Sequence, residues 1–296
     1  MAKQVMDMET SKGISIGASK ELQRNWTEKT WDFVSQKGNY DRTRLNLNFE
    51  IVKGSKIQKV DKSLSIIQKM KENLARRGIL DPNDGLAKPI YRTVVNFIFG
   101  GSREQMRKLA FGNQLIDESV GADNSNIKRM PDIEDWAKDI YQFVSDKFGE
   151  DNIIGFYVHL DELNPHIHCT LLPISDNKFN YKKIFAGKTK YELSAKNMKL
   201  HNDLAAVNRK YGLDRGASVL ETHAQHKTIN QYRAELNEMN KKIYEHIQKQ
   251  KQFSQQLHDE NMIASKRVKG LTTMINNLNT EKDKIQAEIE DLKKQG

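Results

Sequence analysis

Two strand-like runs joined by a short link place the tightest constraint on how this chain can fold. The runs read IIGFYVHL (residues 153–160) and HIHCTLLPI (residues 166–174). Asp161, Asn164 and Pro165 lie in the link between them, and all three residue types favour turns. Strands joined by so short a link pair antiparallel, so we expect a β-hairpin here.

The hairpin carries three of the chain's eight histidines. His166 and His168 lie two residues apart in one strand, so both side chains leave the same face of the sheet. His159 ends the preceding strand, and we expect it roughly across from His168, with their Cβ atoms about 5 Å apart. The three imidazoles can then converge on one point.

Converging imidazoles indicate a metal site, because imidazole is the commonest metal ligand in proteins at neutral pH. Three neutral ligands leave a divalent ion with its charge and with open positions, which suits catalysis. Zinc or manganese would fit the ligands His159, His166 and His168. The alternative is a polar strand face with three unrelated histidines. The paired spacing and the adjacent acids favour the metal.

The remaining patterns predict an α+β fold with an antiparallel-rich central sheet and helices. Alternation in LNLNFEIV (residues 45–52) indicates a half-buried strand. IYRTVVNFIF (residues 90–99) indicates another, which Gly100 and Gly101 should end. Capping and periodic patterns predict helices, namely over residues 63–78, 102–112, 131–149 and 191–212.

The composition changes near residue 226, which divides the chain into a predicted catalytic domain (1–226) and a helical coiled-coil tail (227–296). All five prolines precede this point, and only Gly270 and Gly296 follow it. A seven-residue repeat runs through the tail, with Lys282 interrupting it. Its members are Leu271, Ile275, Leu278, Ile285, Ile289 and Leu292, with a looser series of Tyr232, Leu236, Met239, Ile243, Phe253 and Leu257 upstream. We expect the tail to form a homodimer; packing onto the chain's own domain is the alternative.

The charge and the cysteine content narrow the class of protein. A net charge of +9 favours a polyanionic partner such as nucleic acid, although a basic surface without a partner would look the same. A single cysteine, Cys169, excludes an internal disulfide and fits a reducing compartment. No apolar run approaches the roughly 18 residues that cross a bilayer. We therefore expect a soluble, cytoplasmic protein without membrane insertion.

The hairpin also resembles a known signature. His159, LDELNP and His166-Ile167-His168 closely resemble the motif of plasmid mobilisation relaxases of the Mob/Pre (MobV-type) family, in the HUH endonuclease superfamily. Three further segments resemble blocks of that family and occur in the same order, namely GNYDRTRLNLNFEI (residues 38–51), YGLDRG (211–216) and AQHKT (224–228). The resemblance covers approximately residues 1 to 230, and a coiled-coil tail is also typical of the family.

The resemblance implies a DNA relaxase. Such enzymes nick one strand at a plasmid origin of transfer by a metal-dependent transesterification and stay linked to the 5′ phosphate for conjugative mobilisation. One Mn²⁺ or Mg²⁺ per active site would be held by the three histidines. Asp161 or Glu162 would accept a proton or orient a ligating histidine. Arg24 matches a family arginine, which would neutralise the charge that develops on phosphorus.

The chain departs from the family at the nucleophile. Glu21 stands where the best-studied relatives carry a histidine, and no histidine precedes His159. A carboxylate can attack phosphorus, but the resulting acyl phosphate is labile to water. Tyrosines are the alternative, and Tyr40 is preferred over Tyr181 and Tyr191. Glu21 and Tyr40 therefore remain equal candidates, each also compatible with an ordinary surface or packing role.

Predicted DNA contacts are mainly electrostatic, to single-stranded and duplex plasmid DNA. The cations near the core strands are Arg42, Arg44, Arg76, Arg77, Lys88 and Arg92. A second group follows the histidine strand, with Lys182, Lys183, Lys188 and Lys190 interleaved with Tyr181, Phe185 and Tyr191. Rings that stack on bases and cations that follow phosphates suit a single strand. A solvated basic loop is the alternative for this segment.

Two other functions stay open. One is an HUH-type rolling-circle replication or recombination protein, which shares the chemistry. The other is a DNA-binding protein of this fold that has no cleavage activity, which the Glu21 substitution favours. A small-molecule metalloenzyme would leave the basic charge and the tail without a role.

Overall fold

The computed structural model describes residues 2–216 and 229–295. Two compact units comprise Met1–Asn237 and Glu238–Gly296. The division predicted near residue 226 and the AQHKT segment (224–228) fall outside the described residues.

The first unit is built on a seven-stranded sheet with the order β3-β2-β5-β6-β4-β1-β9. Its strands are β1 (Ala2–Ser11), β2 (Phe49–Val52), β3 (Lys56–Gln58), β4 (Val94–Gly101), β5 (Ile153–His159), β6 (His166–Leu171) and β9 (Leu213–Asp214). A separate two-stranded ribbon pairs β7 (Ile174–Ser175) with β8 (Lys178–Phe179). Every neighbouring pair in the main sheet is antiparallel except β1 and β9. The predicted α+β, antiparallel-rich fold class is confirmed.

Helices occupy the connections and the tail. They are α1 (Ile16–Leu22), α2 (Glu28–Ser35), α3 (Ile66–Arg77), α4 (Arg103–Phe111), α5 (Pro131–Phe148), α6 (Lys190–Asn208) and α7 (Ile229–Gln295). Short 3-10 turns span Arg42–Leu47, Glu150–Asn152 and Arg209–Tyr211, and a π-helical turn spans Lys182–Ala186. Ser65 begins α3 through a reciprocal capping box with Gln68, and Gly78 ends it at φ 62°.

One face of the sheet is closed by apolar packing, and we call it the sealed face. It presents Phe97, Phe99, Phe156, Val158 and Ile167, each at most 1% exposed. Buried side chains of α4, α5 and α6 pack against it, namely Met106, Leu109, Trp136, Ile140, Val144 and Leu204. This face therefore contributes most of the unit's hydrophobic stabilisation.

The opposite face, which we call the open face, presents Tyr157, His159, His166 and His168. Ile66, Met70 and Leu74 of α3 bury its β5 side in a second apolar cluster with Tyr157. Toward β1 the same face is exposed, since Val5 is 48% exposed and Asp7 and Glu9 are open to solvent. The sheet thus leaves a polar surface beside the histidines.

Two predicted strands differ from the observed ones. Only Phe49–Val52 of the LNLNFEIV segment is a strand, because Asp41 accepts a hydrogen bond from the Thr43 amide and starts a 3-10 turn over Arg42–Leu47. Strand β4 begins at Val94 and includes Gly100 and Gly101, which were expected to end it. A Cβ at Gly101 would lie 2.5 Å from Leu213 Cδ2 and 3.0 Å from the Lys3 carbonyl oxygen. Glycine there permits close strand packing.

The second unit consists of the greater part of α7. The seven-residue series from Leu271 to Leu292 is exposed, each member by 46–69%. Nothing is described for the side chains of Tyr232 and Leu236, which belong to the looser upstream series. A bilayer-spanning helix is not found within residues 2–216 and 229–295.

Candidate metal centre

The three histidines of the hairpin converge on the open face. His159 pairs in register with His166, and Tyr157 pairs with His168. The expected pairing of His159 with His168 was therefore wrong by two residues, because His159 ends β5 and His166 begins β6, so the two residues on either side of the link pair with each other. The ring centroids are 5.5 Å apart for His159 and His166, 4.9 Å for His159 and His168, and 4.6 Å for His166 and His168.

Glu162 joins the histidines as a fourth candidate ligand. Its Oε1 atom lies 3.7 Å from His159 Nδ1 and 3.7 Å from His166 Nε2. The Nε2 atoms of His166 and His168 are 2.8 Å apart. One ligand atom from each of the four residues lies within 4.8 Å of the other three. Sequence reasoning gave Glu162 a proton-transfer or orienting role and did not include it among the ligands.

The outward hydrogen bonds of two rings determine which nitrogen faces inward. His159 Nε2 lies 2.8 Å from the Leu22 carbonyl oxygen, and His166 Nδ1 lies 2.8 Å from the Asn164 carbonyl oxygen. A carbonyl only accepts, so these nitrogens carry the protons, and His159 Nδ1 and His166 Nε2 keep their lone pairs. His159 Nδ1 is buried and has no hydrogen-bond partner among the described residues. This inward donor set fits a divalent cation.

Burial keeps His159 neutral. The ring is inaccessible to solvent, and this burial lowers its pKa well below the usual 6.5, with the charge of Arg24 acting in the same direction. A neutral imidazole has the lone pair that metal ligation requires.

Arg24 holds the two acids of the link. Its Nε donates to Asp161 Oδ2 at 2.8 Å, and its Nη2 donates to Glu162 Oε1 at 2.6 Å. Its Nη1 donates to the Glu21 carbonyl oxygen at 2.6 Å. Burial works to lower the pKa of Arg24, but Asp161 and Glu162 outweigh it and raise that pKa above its usual value. The guanidinium is thus directed at the protein's own carboxylates, where the sequence predicted a role at phosphorus.

The link itself is fixed from the N-terminal block. Asp161 is 0% exposed, and Asn48 Oδ1 accepts the backbone amides of Leu160 at 2.7 Å and Asp161 at 3.1 Å. Arg44 donates to Asp41 Oδ2 at 2.7 Å and to the Leu160 carbonyl at 2.6 Å. Sequence reasoning missed the role of Asn48. Its position in the segment resembling the family's N-terminal block was the available signal.

Glu21 and Tyr40, the two candidate nucleophiles, lie together. The Tyr40 hydroxyl donates to Glu21 Oε1 at 2.9 Å, and the backbone of Tyr40 forms an antiparallel bridge with Glu162. The Tyr40 ring lies 4.7 Å from Arg24 Cζ and packs edge-on against Trp26 at 5.1 Å. Burial raises the pKa of Tyr40 above its usual value of 10, and the charges of Glu162 and Glu21 add to the effect.

A loop after α4 borders this region. Asn124 Nδ2 donates to Asp41 Oδ2 at 2.8 Å, and Thr43 Oγ1 accepts the Asn124 amide at 2.9 Å. Glu118 forms ion pairs with Arg103 and Arg107 of α4. These contacts hold residues 117–122 against Tyr40 and Glu162, where they line a small cavity of about 140 Å³. The sequence gave no signal for this contact, which joins residues 83 positions apart.

Most of the predicted DNA-binding arginines are engaged within the protein. Arg44 is 3% exposed and turned inward, so it is a structural residue of the link. Arg42 donates to both oxygens of Glu28, at 2.7 and 2.6 Å. Arg76 contacts Asp151 at 3.4 Å, and Arg77 donates to the Asp151 carbonyl at 3.0 Å. These four side chains hold loops and helices together.

The predicted lysine segment has a different environment. Lys182 and Lys183 begin the π-helical turn after β8, and Lys183 pairs with Asp176 at 2.6 Å. Lys88 and Lys190 are exposed. Exposed Arg92 lies 5.0 Å from the Tyr181 ring, which stacks on Phe185 at 5.7 Å. Cations and rings are therefore neighbours here, as the sequence suggested.

Comparison with known proteins finds similarity to one family. Residues 102–234 match the model of the family Mob_Pre, described as plasmid recombination enzyme. A plasmid recombination enzyme type 3 of Staphylococcus aureus is 29% identical over 121 residues, which is 40% of this chain and 28% of that protein. A type 1 enzyme of the same species is 31% identical over 104 residues, 34% of this chain and 25% of that protein. The matched region thus spans about a quarter of these curated relatives.

Solved structures show the same fold. The chain is similar to the MobM relaxase domain (MOBV; Mob_Pre) bound to plasmid pMV158 oriT DNA, an Mn-bound crystal structure. The identity is 21%, the TM-score is 0.52, and the match covers 78% of this chain and 99% of that one. A second MobM complex, with 22-nucleotide oriT DNA carrying a 3′ thiophosphate, matches with a TM-score of 0.52 at 20% identity. Sequence and fold together confirm the predicted resemblance: residues 102–234 match the Mob_Pre family model, and the chain is similar in fold to the MobM relaxase domain.

Proposed function

We propose that the protein is a DNA relaxase that binds a plasmid origin of transfer and nicks one strand by a metal-dependent transesterification. It then stays covalently linked to the 5′ phosphate for conjugative mobilisation. The observation that carries the proposal is the inward convergence of ligand atoms from His159, Glu162, His166 and His168 on the open face. The MobM domain, which shares the fold, is bound to oriT DNA with manganese.

His159, His166, His168 and Glu162 would hold one Mn²⁺ or Mg²⁺. When bound, such an ion polarises a phosphoryl oxygen and orients the scissile group for in-line displacement. Imidazole nitrogens suit manganese better than magnesium, which prefers oxygen ligands and keeps its waters. We therefore propose Mn²⁺ as the better fit and Mg²⁺ as the alternative.

The protein's own residues prepare this site before DNA arrives. The Leu22 carbonyl fixes the tautomer of His159, and Asn164 does the same for His166. Arg24 holds Glu162 Oε1 at 2.6 Å, which limits the freedom of that carboxylate beside the rings. Fixed ligands lose little entropy on binding, so these contacts favour a preorganised centre.

The DNA would reach the histidines across the open face. The positive charge of +9 supports attraction to a phosphate backbone. Lys182, Lys183 and the neighbouring pair of Arg92 and Tyr181 are proposed as further contacts away from the open face, because cations and rings together suit a single strand. The rings of this segment pack against the sealed-face cluster, where Phe185 lies 5.9 Å from Phe97. The side chains of Arg42 and Arg76 are 45% and 56% exposed and can exchange their present partners for phosphate. They are proposed as secondary contacts, together with the half-buried Arg77.

For the tail we propose pairing with a second copy of the chain, which makes the protein a homodimer. Leu271, Ile275 and Leu278 lie at the spacing of a coiled-coil seam and are exposed by 56–60% in a single chain. The proposed boundary between the catalytic domain and this tail stays at residue 226. A reducing cytoplasm is the proposed location, since the sequence has only the buried Cys169.

The test is a nicking assay with metal. The DNA flanking the gene is cloned into a supercoiled plasmid and incubated with the protein and Mn²⁺, and relaxed circles are resolved on a gel. We expect wild type and His258→Ala, a matched histidine change in the exposed tail, to nick. His166→Ala should not nick and should bind Mn²⁺ more weakly by calorimetry. Unchanged Mn²⁺ affinity in His166→Ala would overturn the ligand assignment.

A second function is favoured by one observation. Glu21 stands where relatives carry a histidine, so a DNA-binding protein of this fold without cleavage activity is the alternative. It predicts tight binding of the origin DNA without relaxed circles under any metal condition. A replication or recombination role would share the nicking result and differ in the DNA it selects.

A further inference from the structure

Tyr40 and Glu21 form a nucleophile and base pair beside the candidate metal centre. We infer that the Tyr40 hydroxyl attacks the scissile phosphate and that the Glu21 carboxylate receives its proton. The inference rests on the proposed relaxase function and names its covalent residue. Its basis is the 2.9 Å hydrogen bond in which the Tyr40 hydroxyl donates to Glu21 Oε1. An activated nucleophile needs a base within this distance.

The ring of Tyr40 is held next to the ligand cluster. Its backbone bridges Glu162, whose Oε1 lies 3.7 Å from two of the histidines. Arg24 Cζ lies 4.7 Å from the ring centroid, and the Trp26 ring packs against its edge at 5.1 Å. The same Arg24 binds Glu162 at 2.6 Å. One buried arginine therefore positions both the phenol and the acid beside the centre.

The base is well placed for its task. Glu21 is exposed, at the end of α1, so its carboxylate can take a proton and release it to water. Its backbone carbonyl accepts from Arg24 Nη1 at 2.6 Å, which anchors the residue without using its side chain. The carboxylate is thus within hydrogen-bond reach of the phenol proton, as a general base must be.

The step balances without any oxidant or co-substrate. Tyr40 Oη forms a bond to phosphorus as its proton passes to Glu21. The bond from phosphorus to the 3′ oxygen breaks, and that oxygen takes a proton to become a free 3′ hydroxyl. The proton comes back from Glu21, directly or through water. One phosphodiester is replaced by another, so the strand can later be rejoined by the reverse reaction.

The leaving-group chemistry favours Tyr40 over Glu21 as the covalent residue. Attack by Glu21 would give a mixed anhydride, from which a carboxylate departs far more readily than an alkoxide, because a carboxylate is a much weaker base. That intermediate would revert or hydrolyse. A phenol, whose unperturbed pKa is about 10, gives a more durable diester. A strand that must stay attached during transfer needs the durable bond.

The experiment identifies the residue and the bond. Wild-type protein is incubated with the supercoiled plasmid and Mn²⁺ and stopped with detergent, and the DNA-linked peptide is read by mass spectrometry. Half of the trapped sample is treated with neutral hydroxylamine, which cleaves acyl phosphates and spares tyrosine phosphodiesters. We expect the adduct on Tyr40 and full survival in hydroxylamine.

Three variants sharpen the result. Tyr40→Phe keeps the ring, and we expect no adduct with unchanged Mn²⁺ affinity and origin binding. Glu21→Gln should slow adduct formation by about 100-fold or more, with the adduct still on Tyr40. Tyr244→Phe, a tyrosine change in the tail helix α7, should behave as wild type.

Several outcomes would overturn the inference while leaving the enzyme class intact. These are a hydroxylamine-labile adduct, an adduct mapped to Glu21, or adduct formation by Tyr40→Phe. Failure of the wild-type protein to nick would instead contradict the proposed function. The wild-type nicking result therefore separates the two claims before the variants are compared.

Discussion

The two faces of the central sheet use the same strands for different purposes. On β6, Ile167 is 0% exposed in the apolar cluster of the sealed face, whereas the next residue, His168, points to the open face beside His166. Alternating side chains put packing on one face and chemistry on the other. Stability and function can therefore be changed separately by substitutions one residue apart.

The largest expected effect is on the open face. His168→Ala should reduce nicking by at least about 1000-fold, which corresponds to about 4 kcal/mol in the barrier. The reason is loss of one inward ligand from the candidate metal centre. Its free energy of unfolding should change by less than about 1 kcal/mol, because His168 is partly exposed.

Relaxed-circle formation and urea unfolding test this result on the same preparation, with His258→Ala as the control. Full nicking by His168→Ala would contradict the separation of the two faces, as would a large loss of stability in that variant.

Phe97→Ala should give the reverse pattern on the sealed face. Phe97 is 0% exposed and stacks on Phe99 at 5.4 Å and on Phe148 at 5.8 Å. We expect a loss of about 3–5 kcal/mol in the free energy of unfolding, because a large buried ring leaves a cavity. Mn²⁺ affinity per folded molecule should be unchanged, measured by calorimetry at low temperature. A loss of Mn²⁺ affinity without a loss of stability would contradict the assignment of packing to the sealed face and chemistry to the open face.

Arg24→Ala should affect both properties, because the residue belongs to the link between the two strands. Its removal leaves Asp161, which is 0% exposed, without its cationic partner. Breaking a buried ion pair in this way costs about 3–5 kcal/mol, although replacing both partners by apolar groups often costs much less. The double variant Arg24→Met with Asp161→Leu should therefore recover part of the stability in thermal unfolding, but not nicking.

The smallest effect concerns an ion pair outside both faces. Lys53 donates to Asp151 Oδ1 at 2.9 Å, and this hydrogen bond lowers the pKa of Asp151 below its usual 3.8. A lowered carboxyl pKa stabilises the folded state above pH 3.8, and the contribution is lost as pH falls through the folded-state value. Because both side chains are about half exposed or more, Lys53→Ala should cost less than about 1 kcal/mol at pH 7. Urea unfolding should show a smaller difference between Lys53→Ala and wild type at pH 3 than at pH 7.

The hairpin and its histidines could be predicted because the information is local. Strand alternation and a short turn-forming link determine which face His166 and His168 share. The predicted pairing of His159 was wrong because the register depends on the residue at which each strand ends, which the sequence pattern did not determine. The secondary structure of the first 35 residues was harder still to predict from the sequence. Strand β1 alternates Met6 and Met8 with exposed Val5, Asp7 and Glu9, a weak strand pattern that becomes stable only through pairing with β4.

The chemistry around the histidines depends on contacts that a linear pattern does not contain. Arg24 and Asp161 are 137 positions apart, and their ion pair changed the expected role of Arg24. The hydrogen bond between Tyr40 and Glu21 joins residues that sequence reasoning treated as competing nucleophiles. Residue type suggested the acids and the rings as candidates, but their pairing became visible only in the three-dimensional arrangement.

The direct pairing of His159 with His166 has a consequence for evolution and for engineering. Side chains along a strand alternate between the two faces of the sheet. If an inserted residue shifted the pairing of one strand by one position, its imidazoles would face the apolar core. Natural homologues should accordingly differ in the residues of this six-residue link while keeping its length. A library that randomises its sequence at fixed length will keep active members, and one that lengthens it by one will lose them.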